Sequence, residues 1–149
     1  MDDSKSCIFC RIARGQAEAS VVYDDDLVLA FLDSHPVAEG HCLVVPKRHA
    51  SGLAALDPDS GARMFSVARR LALAMQSEAR RVDGVNLHLA DGAAAGQSVF
   101  HCHLHVIPRT LGDGFGLRIP LGSRPTPDRG GLEAAAARLR RSLAEAVGT

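Results

Sequence analysis

The run from Gln97 to Arg109 constrains this chain more than any other segment. His101, His103 and His105 alternate with Cys102, Leu104 and Val106. In an extended segment, side chains two apart point the same way. The three imidazoles then share one face, and Cys102, Leu104 and Val106 take the other, which is the face that satisfies a core. Same-face neighbours on a strand sit about 6–7 Å apart, so the outer two histidines are separated by about 13 Å. That is too far for one ion with ligand bonds near 2 Å. Two neighbours could share a metal; all three could not without a bend. A single histidine here would read as an ordinary strand residue, half-buried and hydrogen-bonded. Three in register read as a polar site with at least two tasks.

The rest of the chain supplies a frame for that strand. Val21–Tyr23 ends at the acidic turn Asp24–Asp26, and Leu27 to Leu32 resumes an apolar run. Pro36 to Gly40 reads as a loop, and Cys42–Val45 as a buried strand stopped by Pro46. Short runs with short connections imply an antiparallel meander. Asp57–Pro58 has the chemistry of a helix start. Met64, Phe65, Val67, Ala68, Leu71 and Met75 keep helical spacing through about Arg81. Val85 to Ala90 reads as a strand, and Asp91 to Gly96 as a Gly-containing loop that leads to the histidine row. Thr110 to Arg129 reads as irregular. Leu132 to Val147 reads as an amphipathic helix with Leu139 and Leu143 inward. Strands with one middle and one terminal helix make the class α+β. The expectation is one domain over residues 1–149, with the motif-bearing core at about 7–116 and an irregular segment and helix over 117–149.

Seventeen basic and seventeen acidic residues cancel, so no basic excess drives generic nucleic-acid binding. No apolar run approaches the ~20 residues of a membrane span, and Met1–Lys5 leads to no signal-type segment. The expected location is the cytoplasm. Four cysteines do not build a disulfide scaffold at this length. Cys42 and Cys102 fall in apolar runs and read as core thiols. Cys7 and Cys10 have the two-residue spacing of a metal or redox pair. The spacing alone leaves zinc, redox and no role open, although no thioredoxin-like βαβ unit surrounds it.

The row His101-Cys102-His103-Leu104-His105-Val106-Ile107 resembles the His-φ-His-φ-His-φ-φ motif of the histidine-triad (HIT) nucleotide-binding proteins. Ala30–Asp33, Gly40–His49 and Ala95–Phe100 are also similar to family segments, in family order. The resemblance runs from Cys7 to about Gly116. It implies a five-stranded antiparallel sheet with a middle and a C-terminal helix, and a homodimer joining two such sheets. It also implies hydrolysis or transfer of nucleoside monophosphates through a nucleotidyl-histidine. His103 would be the nucleophile, His105 a phosphate contact or proton donor, and His41 a supporting histidine. Gln97 and Ser98 would meet the phosphate or leaving group, and Asp33 the ribose. Ile8, Phe9, Ile12, Phe31 and Leu43 match positions that sandwich the base, though each also suits a core. The implied ligand is a purine nucleotide of the AMP or GMP kind, with no cofactor in the chemistry itself.

In many bacterial relatives with an N-terminal Cys pair, the resemblance implies a structural zinc. Its ligands here would be Cys7, Cys10, His49 and His101. His35 receives no role and reads as a surface loop residue. Gly112–Gly116 is a candidate lip of the pocket. One departure stands out: many relatives carry Asn where this chain has Ala90. A lost charge-assisted contact there costs about 1.5–3 kcal/mol. His88 and Asn86 alternate onto the same face and are candidate substitutes. The favoured activity is phosphoramidase-like cleavage of a nucleoside monophosphate joined to an amine. Dinucleoside-polyphosphate hydrolysis and a non-catalytic nucleotide-binding module are the rivals.

Overall fold

The computed structural model describes residues 6–77, 81–116 and 127–146. Its elements are helix α1 (Ile8–Ala13), strands β1 (Val21–Asp24), β2 (Val28–Leu32) and β3 (Cys42–Pro46), helix α2 (Pro58–Ser77), strands β4 (Gly84–His88) and β5 (Leu104–Arg109), and helix α3 (Arg129–Ala146). The strands form one antiparallel sheet in the order β1-β2-β3-β5-β4. The chain divides into two compact units, Met1–Phe115 and Gly116–Thr149.

The continuous apolar runs of β2 and β3 follow from a sheet covered on both sides. Val28, Ala30, Cys42, Val44, Cys102 and Val106 pack with Met64, Val67, Ala68 and Met75 of α2. The alternate residues Leu29, Phe31, Leu43 and Val45 pack with Phe9 of α1 on the opposite face. The period-two alternation of strand side chains thus divides one apolar run between two small cores. Asp57 caps α2, its Oδ1 accepting from the Ser60 N–H at 2.9 Å, and Pro58 occupies the first turn, where no N–H is needed. A network of Arg63 with Asp25 and Tyr23 ties α2 to the β1–β2 turn.

Several boundaries differ from the sequence expectation. Pro46 is the last residue of β3 rather than its stop; it pairs only with Val28 of β2. β5 begins at Leu104, so His101 and His103 precede the regular strand. The cause is local. Continuing the Val44–Leu104 register would set Cys102 against Pro46, which has no N–H to give. The Cys102 N–H instead donates to Ala50 at 2.6 Å. β4 ends at His88, leaving Leu89 and Ala90 outside the ladder. Phe65 is 61 % exposed, on the flank of the α2 stripe and not in the core. Leu139 and Leu143 of α3 are exposed, not inward; no residue of that helix is buried, and its own unit has no other described element to cover it. The α2 expectation past Ser77 and the α3 expectation at Val147 fall partly outside the described residues, as does residues 117–126 of the segment read as irregular.

Candidate active site and metal-ligand cluster

The histidine row still sorts its side chains by face. Cys102 and Val106 are buried against α2, with Leu104 packed beside them. The three imidazoles lie on the other face, at three successive sites. His101 is fully buried. Its Nε2–H donates to the Pro46 carbonyl at 2.8 Å. That bond leaves the Nδ1 lone pair directed at sulfur: Cys7 Sγ is 3.3 Å away and Cys10 Sγ 3.4 Å. His49 Nδ1 lies 3.3 Å from Cys10 Sγ. One donor atom from each of Cys7, Cys10, His49 and His101 falls within 4.8 Å of the others. A tetrahedral ion with bonds of about 2.3 Å to sulfur and 2.0–2.1 Å to nitrogen separates S from N by about 3.5 Å. The three S–N separations match that spacing, and the four donor atoms are close enough together to surround one such ion. All four cysteines are free thiols.

His103 lies one step further along the row. Its Nδ1–H donates to the His101 carbonyl at 2.7 Å, which fixes the tautomer and leaves Nε2 with a free lone pair. The ring lines a cleft of about 750 Å³. Phe9 stands edge-on to both His101 and His103, with centroids at 5.8 and 5.3 Å. Because Phe9 sits between Cys7 and Cys10, the cysteine loop also forms a wall of the cleft.

His105 completes the row, its ring 5.0 Å from that of His103. The Val37 N–H donates to His41 Nδ1 at 3.3 Å, and His41 Nε2 lies 2.9 Å from His105 Nδ1. His41 then carries its proton on Nε2 and donates it to His105, whose own proton is held on Nε2. Asp33 Oδ2 stands 3.6 Å from His41 Nδ1. The donor atoms of Asp33, His41 and His105 also come within 4.8 Å of one another. Asp33 and His105 nevertheless approach opposite edges of the His41 ring, which relays hydrogen bonds rather than chelating. Burial, followed by the neighbouring His103 and His41, pushes the pKa of His105 down to about 4, with Asp33 opposing. Burial also lowers that of His41, again against Asp33. His88 faces His105 across the β4–β5 ladder with ring centroids 5.8 Å apart. Asn86 does not reach the site; it accepts from Arg109.

The cleft gathers most of the residues singled out in the sequence. Ile8, Phe9, Ile12, Phe31, Leu43, Asp33, Ser98, His103 and His105 all line it. Gln97 does not. Its carboxamide accepts from the Gly92 N–H at 2.7 Å and donates to the Ser51 and Val99 carbonyls. Gln97 thus braces the loop that presents Ser98. Gly112–Phe115 lines a separate cleft of about 510 Å³ with Asp83, Val85, Asn86 and Arg109, and forms no lip of the histidine cleft. His35, given no role from sequence, lines the histidine cleft beside Asp33, as do Ser34, Glu18 and Ser20. The position of His35 two residues after Asp33 was the available signal. The backbone acceptors of Pro46 and His101 left no signal in residue type.

Residues 14–111 match the HIT domain family. An uncharacterized HIT-like protein of Borreliella burgdorferi is 44 % identical over 113 residues, covering 75 % of this chain and 81 % of that protein. A protein of Arabidopsis thaliana named adenylylsulfatase HINT3 is 41 % identical over 103 residues, 69 % of this chain and 52 % of that protein. Among solved structures, a HIT family protein from Bacillus anthracis superposes with TM-score 0.83 at 42 % identity, covering 91 % of this chain and 96 % of that one. A zinc-bound histidine triad family protein from Mycobacterium smegmatis gives 0.73 at 40 % identity, with 93 % and 99 % covered. A histidine triad nucleotide-binding protein from Candida albicans gives 0.81 at 28 % identity, with 94 % and 99 % covered.

Proposed function

Because the chain belongs to the HIT domain family, we propose that it is a nucleotide hydrolase or transferase that forms a covalent intermediate on His103. The observation that carries this reading is the 2.7 Å bond from His103 Nδ1–H to the His101 carbonyl, which directs the free Nε2 lone pair toward a cleft that also holds Asp33 and an apolar floor. A neutral imidazole so oriented is a competent nucleophile toward phosphorus.

The favoured substrate is a purine nucleoside 5′-phosphoramidate or a similar AMP-linked compound. His103 Nε2 attacks the α-phosphorus, and the P–N bond breaks with its electron pair going to nitrogen. The nitrogen takes a proton from solvent by way of the Ser98 hydroxyl and leaves as the amine. The new phosphoimidazolium keeps its Nδ1–H on the His101 carbonyl, where the carbonyl dipole offsets the developing positive charge. His105 Nε2–H donates to a phosphoryl oxygen, with His41 holding that proton in place. Water then attacks phosphorus, the P–Nε2 bond breaks, and the nucleoside monophosphate departs as a proton returns to solvent. Asp33 accepts from the ribose hydroxyls, Phe9, Phe31 and Leu43 enclose the base with Ile8 and Ile12 at its margin, and Gln97 holds the loop. His88, its ring 5.8 Å from that of His105, is the candidate to supply the contact absent at Ala90, acting through His105.

Cys7, Cys10, His49 and His101 are assigned to a zinc ion, supported by their spacing and by the zinc-bound relative. Held by four protein ligands, such an ion would be structural: Cys7 and Cys10 at the start of α1 would be tied to His49 and to His101 of the catalytic segment. The reading includes a single HIT domain, a cytoplasmic location and a homodimer. In the dimer the outer edge of β4, which no described strand pairs, meets a second copy. Steady-state comparison of adenosine 5′-phosphoramidate with a diadenosine polyphosphate tests the substrate class. Higher kcat/KM on the phosphoramidate supports it, the reverse favours the polyphosphate hydrolase, and turnover of neither by a protein that binds nucleotide favours a binding module.

A further inference from the structure

His105 lies between two neighbours on the sheet, β3 on one side and β4 on the other. On the β3 side it meets His41, with ring centroids 5.1 Å apart and His41 Nε2 2.9 Å from His105 Nδ1. That hydrogen bond holds one nitrogen. It does not by itself fix the tilt of the ring, because χ2 of histidine has a broad minimum. On the β4 side, three polar or small residues come into question. Asn86 is engaged elsewhere, its Oδ1 accepting from Arg109. Ala90 is buried beyond the end of β4 and carries only a methyl group. His88 pairs directly opposite His105 in the ladder, with ring centroids 5.8 Å apart and planes inclined by 32°. That separation lies within the ~4.5–7 Å range of interacting aromatic pairs. One imidazole thus bonds the edge of His105 and a second lies against it.

We propose that His88 is a positioning residue whose ring, packed against His105, keeps the His105 Nε2–H directed at the phosphoryl oxygen, an inference that rests on the nucleotide reading above. His88 is not among the residues that line the cleft, so it acts through His105 and not on the substrate. A donor held in place before the substrate arrives costs no reorganisation when charge develops. The phosphoryl oxygens gain that charge as the His103 Nε2–P bond forms, so the benefit is greatest in the transition state. It belongs in kcat rather than in KM. The contact is ring against ring and requires no proton on His88. A phenyl ring can therefore replace it, whereas a methyl group cannot.

The test is steady-state turnover of adenosine 5′-phosphoramidate by the full-length protein and its variants. His88→Ala is expected to lower kcat about ten-fold with KM within about two-fold, and His88→Phe to stay within about three-fold of the wild type. In a His105→Asn background, His88→Ala is expected to change kcat by less than about two-fold, because the ring it steadies is gone. Ring 15N NMR reads the same contact without turnover: His105 is expected to give one Nε2–H tautomer in the wild type and in His88→Phe, and broadened signals in His88→Ala. An unchanged kcat or unaltered His105 signals in His88→Ala, a loss that His88→Phe does not reverse, or an undiminished loss in the His105→Asn background overturns the inference and leaves the nucleotide reading standing. A wild type that turns over neither this substrate nor a diadenosine polyphosphate overturns that reading, and the role of His88 with it.

Discussion

At the residue scale, one row of three imidazoles is divided into three jobs by what each ring nitrogen meets. The Pro46 carbonyl accepts a hydrogen bond from His101 Nε2–H and leaves its Nδ1 for the thiols; the His101 carbonyl accepts from His103 Nδ1–H and leaves its Nε2 free; His41 donates to His105. The third arrangement has a pH consequence. The pKa of His105 is about 4 in the fold, through burial and then its histidine neighbours, against about 6.5 unfolded. Between these values the unfolded chain binds more protons, so the stability from this group is complete above about pH 6.5 and is lost as pH falls toward 4. Denaturant unfolding at pH 7 and pH 5 should show a larger loss in the wild type than in His105→Asn; equal losses would contradict the assignment. His41→Ala should lower kcat by about 10²-fold, with little change in KM, because it releases the His105 tautomer. An unchanged kcat would show that His41 does not govern it. The alternation of the row made the shared face readable from the sequence. The tautomers were not, since they depend on carbonyls of Pro46 and His101 that any residue type would supply.

At the element scale, α1 belongs to two sites at once. Cys7 and Cys10 flank Phe9, whose ring touches those of His101, His103 and Phe31. If the four-residue cluster holds zinc as proposed, chelation should lower Tm by about 10 °C and weaken nucleotide affinity as well, because the wall of the cleft loosens with the start of α1. Full nucleotide affinity in metal-free protein would break that link. Met64→Ala, deep in the core beneath the sheet, should cost about 2–5 kcal/mol by denaturant unfolding while leaving nucleotide affinity unchanged. The strands themselves and the capping of α2 were legible because apolar runs, Asp57 and Pro58 carry them directly; the placing of β5 between β3 and β4 was not. The start of β5 was not, because it depends on which residue lies opposite, and Pro46 sits there.

At the scale of the whole molecule, nothing in the described residues of α3 is buried, and the two edge strands are β1 and β4. Its periodicity gave a correct helix, but which stripe is covered depends on a neighbour that a single chain's periodicity does not contain. If β4 pairs with a second copy, sedimentation should give about twice the 15.7 kDa of the chain. Leu87→Lys on that strand should then shift it toward monomer, whereas a monomeric wild type would exclude the joined sheet. The central claim is covalent chemistry at His103, and intact-mass spectrometry after rapid mixing with adenosine 5′-phosphoramidate tests it most directly. The account predicts a mass increase of one adenylyl group per chain in the wild type and none in His103→Ala; an adduct that survives His103→Ala would contradict it.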